Sequence, residues 1–357
     1  MKKFLALLLA LTMALALVAC GGGSDTADTG SGDTSTGDTA TGEFESMTWK
    51  FACSATETSP WVDGAKEFAR IVGEQTGGAI TVQYYPADQL TAGSQTDGIQ
   101  ALMDGTTELS MHSNLIWSSF DQRFNVVSLP FLFDSVEEAD AALDGAGGQA
   151  LGEILESEYN VHLLGIAENG FRHITNSKHA VTSLADMENL KIRVAGSQLL
   201  NRAYELWGAD YTNANWSEVF TALQTGTYDG QENPLPTADA ASIQEVQSYL
   251  TYWTGAYDCL FFCMNADLYN SLSPELQAIV DDAGQQACVY ERELNRGQDQ
   301  EIMDKWAEAG VKVTELSADA AAEFAEASAP VYDEFADELT PELIEAFTSV
   351  TQADNAA

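Results

Sequence analysis

Positive charge is scarce in this sequence. Fifteen Lys and Arg stand against 55 Asp and Glu in 357 residues, a formal net charge of −40 at pH 7. A phosphate backbone needs a basic footprint, so nucleic acid is excluded as a partner. Charge-driven adhesion to anionic lipid is excluded for the same reason. Histidine is scarcer still: His112, His162, His173 and His179 lack zinc-ligand spacing. Cysteine is sparse too, and Cys53, Cys259, Cys263 and Cys288 form no metal motif. An exported protein is able to pair its cysteines. Cys259 and Cys263 on one strand, however, would lie about 13 Å apart, too far to bridge. Buried free thiols are the expectation. No GxSxG, GxxxxGKS or HExxH occurs, and no GxGxxG in a strand-to-helix context. Gly145-Ala146-Gly147-Gly148 reads as a turn between helices. Carboxylates are so abundant that no pair stands out as an acid/base couple. The expectation is a protein that is not an enzyme and carries no resident cofactor.

Long apolar runs are confined to the first twenty residues. Lys2 and Lys3 precede Phe4–Ala19, a sixteen-residue run without charge, which is short for a membrane span and the right length for a signal-peptide core. The run ends Leu17-Val18-Ala19-Cys20-Gly21. This resembles the bacterial lipoprotein box, in which the cysteine is lipid-modified and becomes the new N-terminus; the plainer alternative is an ordinary signal peptide with an incidental Cys20. Residues 1–19 are therefore read as a signal peptide. Residues 20–45, rich in Gly, Ser, Thr and Asp, are read as a lipidated Cys20 and a flexible tether of roughly 25–30 Å end to end.

The rest has the length and composition of a folded body with a sizeable core: 45% of residues are hydrophobic and 20% charged. Strand and helix patterns alternate, which argues an α/β fold. Strands are expected at 47–53, 79–85, 109–112, 161–167, 171–175, 190–194, 249–257, 259–265 and 311–315. Helices are expected at 60–75, 94–104, 136–143, 149–159, 198–206, 216–225 and 238–247. Two prolines in Gln231–Pro236 predict a loop there. Ser273 as N-cap, Pro274 at the first helical position and Gly310 at the end predict one helix of about 54 Å across two domains. No break in mid-chain separates the pattern, so interleaved domains are expected.

Two arginines sit among apolar or strand-forming neighbours: Arg172 in Gly170-Phe171-Arg172-His173-Ile174-Thr175-Asn176, and Arg193 in Leu190-Lys191-Ile192-Arg193-Val194. A buried arginine must be paired or face a wet cleft. Each is either salt-bridged to one of the many acids or forms a fork for a ligand carboxylate.

Segments 189–194 and 216–234, the latter reading Trp216-Ser217-Glu218-Val219-Phe220-Thr221-Ala222-Leu223-Gln224-Thr225-Gly226 into Asp229-Gly230-Gln231-Glu232-Asn233-Pro234, carry a resemblance. So do Leu129-Pro130-Phe131-Leu132-Phe133, Gly170-Phe171-Arg172 with Thr175-Asn176, and Tyr84-Tyr85-Pro86 before Gln89-Leu90. From about residue 47 to 350 the chain resembles the C4-dicarboxylate-binding type of solute-binding protein of tripartite ATP-independent periplasmic (TRAP) transporters. The resemblance implies a two-domain periplasmic-binding-protein-like cleft with interleaved domains and a long helix spanning both. The expected division is 46–169 plus 259–298 against 170–258 plus 299–350, with 351–357 a tail. It implies Arg193 as the main carboxylate partner, Arg172 nearby, Asn233 as a hydrogen-bonding residue and Trp216 as a wall. Asn213 and Asn215, where the family often has a proline-containing stretch, either add polar contacts or form a turn. Ser113 stands where some sialic-acid binders have Glu, which weakens a sialic-acid reading; Ser113 and His112 are pocket candidates. The implied partners are a small organic acid, TRAP permease subunits and, through the lipid anchor, a membrane on the extracytoplasmic side. A co-bound metal ion stays open. The rivals are an ATP-driven importer's or a sensor's binding lipoprotein, an exported enzyme, and a structural lipoprotein without a ligand.

Overall fold

A computed structural model describes residues 44–354. The signal peptide, Cys20 and nearly all of the tether lie outside the described residues, as do 355–357. Numbered in chain order, the strands are β1 (Met47–Cys53), β2 (Ile80–Tyr85), β3 (Leu109–Ser113), β4 (Val161–Phe171), β5 (His173–Asn176), β6 (Lys191–Val194), β7 (Asp210–Asn213), β8 (Gly230–Asn233), β9 (Tyr249–Tyr252), β10 (Tyr257–Asn265) and β11 (Lys312–Glu315). The helices are α1 (Pro60–Gln75), α2 (Gln95–Met103), α3 (Asn114–Trp117), α4 (Val136–Leu143), α5 (Ala146–Tyr159), α6 (Gln198–Leu206), α7 (Trp216–Gln224), α8 (Leu235–Ala240), α9 (Ala266–Ser271), α10 (Pro274–Arg296), α11 (Asp299–Glu308), α12 (Ala318–Leu339) and α13 (Pro341–Asp354).

Two sheets organise the protein, in the orders β2-β1-β3-β10-β4 and β11-β9-β5-β8-β6-β7. Both are mixed. In the first, β1 runs parallel to β2 and β3, while β10 is antiparallel to β3 and β4. In the second, β6 is parallel to β7 and β8, and β5 is antiparallel to β8 and β9. Because β10 belongs to the first sheet and β11 to the second, the chain passes between sheets after β4, after β9 and after α10. The interleaved α/β arrangement expected from the sequence is the one observed.

Apolar periodicity explains the packing. Trp61, Ala65, Phe68 and Val72 of α1 are buried, as are Val280, Ala283 and Ala287 of α10, and both helices cover the first sheet. Gly284 lets α10 press onto β4: a Cβ there would stand 2.7 Å from Leu164 Cβ and 2.8 Å from Leu164 O. A second cluster joins Trp306 of α11 to Leu250 of β9 and Leu235 of α8. The largest cluster draws on both sheets and on α12 and α13, through Phe133, Ile166, Ile192, Trp253, Phe324 and Phe347. All four described cysteines are free and buried.

Several elements differ from expectation. The helix predicted from 273 to 310 is two helices, with the break at Gly297-Gln298. The Gly297 N–H bonds Asn295 O rather than a carbonyl four residues back, and α11 restarts at Asp299 to pack on α8 and β11 of the second sheet. Pro234 and Pro236 do not sit in a loop. Pro234 caps α8 after β8 ends, and Pro236 lies in the first turn, where no N–H is needed. The 238–247 helix stops at Ala240 because Ser242 turns left-handed, φ 57°. Gly145 to Gly148 start α5 instead of forming a free turn; a Cβ on Gly148 would strike Leu143 O. The strand expected over 249–257 ends at Tyr252, and Tyr257 begins β10.

Asp299 opens α11 at the third crossing. Its carboxylate accepts the Tyr252 hydroxyl at 3.1 Å and lies 3.9 Å from His173 Nε2. Burial pushes Asp299 up to about 6, with the Tyr252 hydrogen bond opposing. Burial pushes His173 down to about 3, so it is neutral beside Asp299 above that pH. A carboxyl raised in the folded state stabilises it most below its unfolded pKa, and that contribution is lost as pH rises through about 6. Asp299→Asn is therefore expected to raise the melting temperature at pH 8 and to leave it unchanged near pH 4. Melting curves at the two pH values check this; an equal shift at both would disprove the linkage.

Candidate functional site

The parallel segments of both sheets aim their carboxyl ends at one place, where ligands of open α/β sheets gather. Ser54 follows β1 and Ser113 ends β3; Arg193 lies in β6 and Asn233 ends β8. Helices that follow strands of the two sheets add Trp61 from α1, Gln95 from α2, Ile116 from α3, Trp216 from α7 and Thr237 from α8. Together with Arg172, Asn169, Asp258, Ala55 and Ala195 they line a cavity of about 350 Å³, mouth included.

Arg172 is tied down. Its Nε and Nη2 donate to the Glu232 carboxylate, Nη2 at 2.9 Å, and Nη2 also donates to Glu232 O at 2.8 Å. Its Nη1 donates to Asp258. Asp258 also accepts the Ser113 hydroxyl at 2.7 Å and Asn169 Nδ2 at 2.6 Å, and Asn169 Oδ1 accepts the Thr237 hydroxyl at 2.6 Å. Glu232 accepts the Ala195 N–H at 3.0 Å. Burial raises the Asp258 carboxyl, while Arg172, Ser113 and Asn169 pull it back. Burial alone would depress Arg172, but Glu232 and Asp258 hold it well above its ordinary value. The network joins the two sheets and leaves one of the five Arg172 N–H groups without a protein acceptor among the described residues.

Arg193 is different. It is 2% exposed. Two of its five N–H groups, on Nε and Nη2, donate to Ala214 O at 3.0 and 2.6 Å. Its guanidinium lies 5.7 Å from the centre of the Trp216 ring. Of the seven arginines, Arg70, Arg123, Arg172, Arg202, Arg292 and Arg296 each have a carboxylate within ion-pair distance. Arg193 has none among the described residues. Burial pushes it down to about 10, Arg172 adds to the depression, and Glu232 opposes it. It is charged at neutral pH and lines the cavity with three N–H groups that have no acceptor among the described residues.

The other expected residues divide. Asn233 and Trp216 line the cavity; Asn233 Nδ2 donates to Gln231 Oε1 at 2.8 Å. Ser113 lines it as well, with its hydroxyl committed to Asp258. Asn213 and Asn215 are not brought to this wall and form no turn of their own. Asn213 ends the exposed strand β7, and its Nδ2 donates to Val194 O at 3.2 Å and Ala195 O at 2.9 Å. Asn215 caps α7 and accepts the Gln95 N–H at 3.5 Å. Both line a neighbouring hollow with Ala214 and Gly196. His112 is buried away from the cavity, with Nε2 3.1 Å from Asp88 Oδ1. Sequence reasoning missed Ser54, Trp61, Gln95, Thr237, Glu232 and Asp258. An acid at position 258, just before the apolar run Cys259–Met264 of its strand, was the available signal.

Residues 51–339 match the model of the bacterial extracellular solute-binding proteins, family 7. The chain belongs to that family. This family-7 protein is 32% identical over 272 residues to the 2,3-diketo-L-gulonate-binding periplasmic protein YiaO of Escherichia coli K12, covering 76% of this chain and 82% of that one. The sugar-acid-binding protein of Advenella mimigardefordensis, solved with galactonate, superposes with a TM-score of 0.83 at 29% identity, over 87% of this chain and 99% of that one. A TRAP periplasmic solute-binding protein of Ralstonia eutropha, solved with (S)-2-acetolactate, gives 0.82 at 30%, over 85% and 99%. A family of solute-binding proteins implies a transport role rather than catalysis. No helix among the described residues is long and apolar enough to cross a membrane.

Proposed function

We propose that this family-7 protein captures a small organic acid outside the cytoplasm by a salt bridge to Arg193, closes around it and delivers it to a TRAP permease. The observation that carries this reading is the state of Arg193: a buried cation without a carboxylate partner among the described residues, with three N–H groups that no described residue accepts, in the wall of a cavity. An acid supplies the missing partner in bidentate geometry. The relatives solved with galactonate and (S)-2-acetolactate support the ligand class. Residues 46–169 plus 259–298 and residues 170–258 plus 299–350 act as the two closing halves, with the three sheet crossings as hinges. Closure follows because a ligand touching both halves binds the closed state more tightly than the open one.

The test is a thermal-shift screen of residues 46–357 against organic acids, after unfolding and refolding to strip any carried ligand. Acid at a hundred times its dissociation constant stabilises by about 2.7 kcal/mol. Stabilisation by acids, with each acid recovered unchanged in mass, supports binding without turnover. No stabilisation by any acid refutes the reading.

The anchor belongs to the same proposal: Cys20, lipidated, holds the body to the outer face of the membrane by the 20–45 tether. Cys20→Ser is expected to move the protein from the membrane fraction to the soluble one. Retention in the membrane fraction would exclude the lipid anchor.

A further inference from the structure

We infer that the cavity selects a hydroxylated monocarboxylate over a dicarboxylate, and that Ser54 and Trp61 read its hydroxyl end. This rests on the proposed carboxylate site at Arg193.

The first ground is charge. Among the described residues, Arg172 and Arg193 are the only basic ones on the cavity wall. Arg172 is already matched by two acids, Glu232 and Asp258, so the group of four is neutral when all are ionised. One carboxylate finds Arg193. A second finds no free cation and meets Asp258, and an ionised carboxylate taken out of water without a partner is costly.

The second ground is what the wall offers instead. Ser54 Oγ and Trp61 Nε1 are buried without a hydrogen-bond partner among the described residues. Both residues are 4% exposed and line the cavity. Other buried polar atoms without partners, such as those of Trp49, Trp117 and Trp253, belong to residues that do not line it. A buried polar group left unmatched is unfavourable and calls for an explanation. The indole N–H only donates, and the serine hydroxyl both donates and accepts. Neutral oxygens satisfy the pair: one accepts from Trp61, and a hydroxyl exchanges with Ser54. The Ala55, Ile116 and Trp216 surfaces flank the carbon chain between. Arg193 comes from the second sheet, whereas Ser54 and Trp61 come from the strand end and helix start beside β1 of the first. A ligand satisfying both ends therefore touches both halves, and its hydroxyls contribute to closure as well as to selection.

Calorimetric titration of the refolded protein with D-erythronate, butyrate and succinate tests this with acids of one carbon count: hydroxylated, bare and doubly charged. D-gluconate is the longer hydroxylated probe. Wild type is expected to bind a hydroxylated acid at least about tenfold more tightly than butyrate or succinate. Trp61→Phe and Ser54→Ala are each expected to weaken that acid several-fold to about tenfold and to leave butyrate unchanged. Should Trp61→Phe fail to fold, Ser54→Ala decides. Succinate binding as tightly as the hydroxylated acids, or hydroxylated acids unaffected by the variants that fold, overturns this inference alone if Arg193→Ala still abolishes binding. No binding of any of these acids, or binding indifferent to Arg193→Ala, overturns the carboxylate reading and this inference together.

Discussion

Arg193→Ala is expected to cost about 2–5 kcal/mol of acid binding, at least about thirtyfold in affinity, while leaving the empty protein as stable as wild type or more so. The two halves of that result have one cause. Arg193 is desolvated, depressed by burial and without an acidic partner among the described residues. Among the described residues its only hydrogen bonds go to Ala214 O. Removing it relieves the desolvation of a charge and leaves behind one carbonyl. With ligand bound, the same substitution strands a carboxylate in a water-poor cavity. Arg193→Lys keeps the charge but not the planar fork, so it is expected to fall between alanine and wild type. Calorimetry for binding and urea denaturation for the empty protein separate the two effects. Unchanged affinity would remove Arg193 from the site, and a large loss of stability would mark it as a structural ion.

Arg172→Met is expected to behave in the opposite way. It leaves Glu232 and Asp258 buried with no cation between them, a loss of about 3–5 kcal/mol of folding stability. The binding defect follows from the damaged wall rather than from a lost ligand contact. Adding Glu232→Gln and Asp258→Asn removes the stranded charges and is expected to recover most of the stability. Urea denaturation of the single and triple variants is the measurement. A single variant as stable as wild type would mean that the two acids take up protons or water without cost, and that Arg172 does not hold the sheets together.

Local sequence marked both arginines but not the difference between them, and only the family resemblance put Arg193 first. Each has strand-forming neighbours, and local sequence says only that a cation so placed needs company. The company of Arg172 comes from Glu232 and Asp258, remote in the chain and brought close by β8 and β10. Helix α1 was legible to the residue because a proline start, an apolar face and a Gly-Gly stop all act locally. The break between α10 and α11 was not: Gly297 is tolerable inside a helical pattern, and what ends α10 there is the separate packing of each piece on its own sheet. Trp61 shows the same limit. Its spacing on α1 fits the buried face, which is where it lies, and only the placement of α1 at the strand ends turns a core residue into a cavity wall. Asn213 and Asn215 were singled out as a departure from the family pattern, yet Asn213 ends β7 at the outer edge of the second sheet and Asn215 caps α7.

Arg193, left without an acid among the described residues, is proposed as the receptor for the carboxylate of the cargo. The most direct measurement is a crystal structure of the refolded protein with the acid that raises its melting temperature most. Both carboxylate oxygens are expected at about 2.7–2.9 Å from the Arg193 fork, with Arg172 still bound to Glu232 and Asp258. A carboxylate seated on Arg172, or an acid bound outside the cavity with Arg193 still holding only Ala214 O, would contradict it.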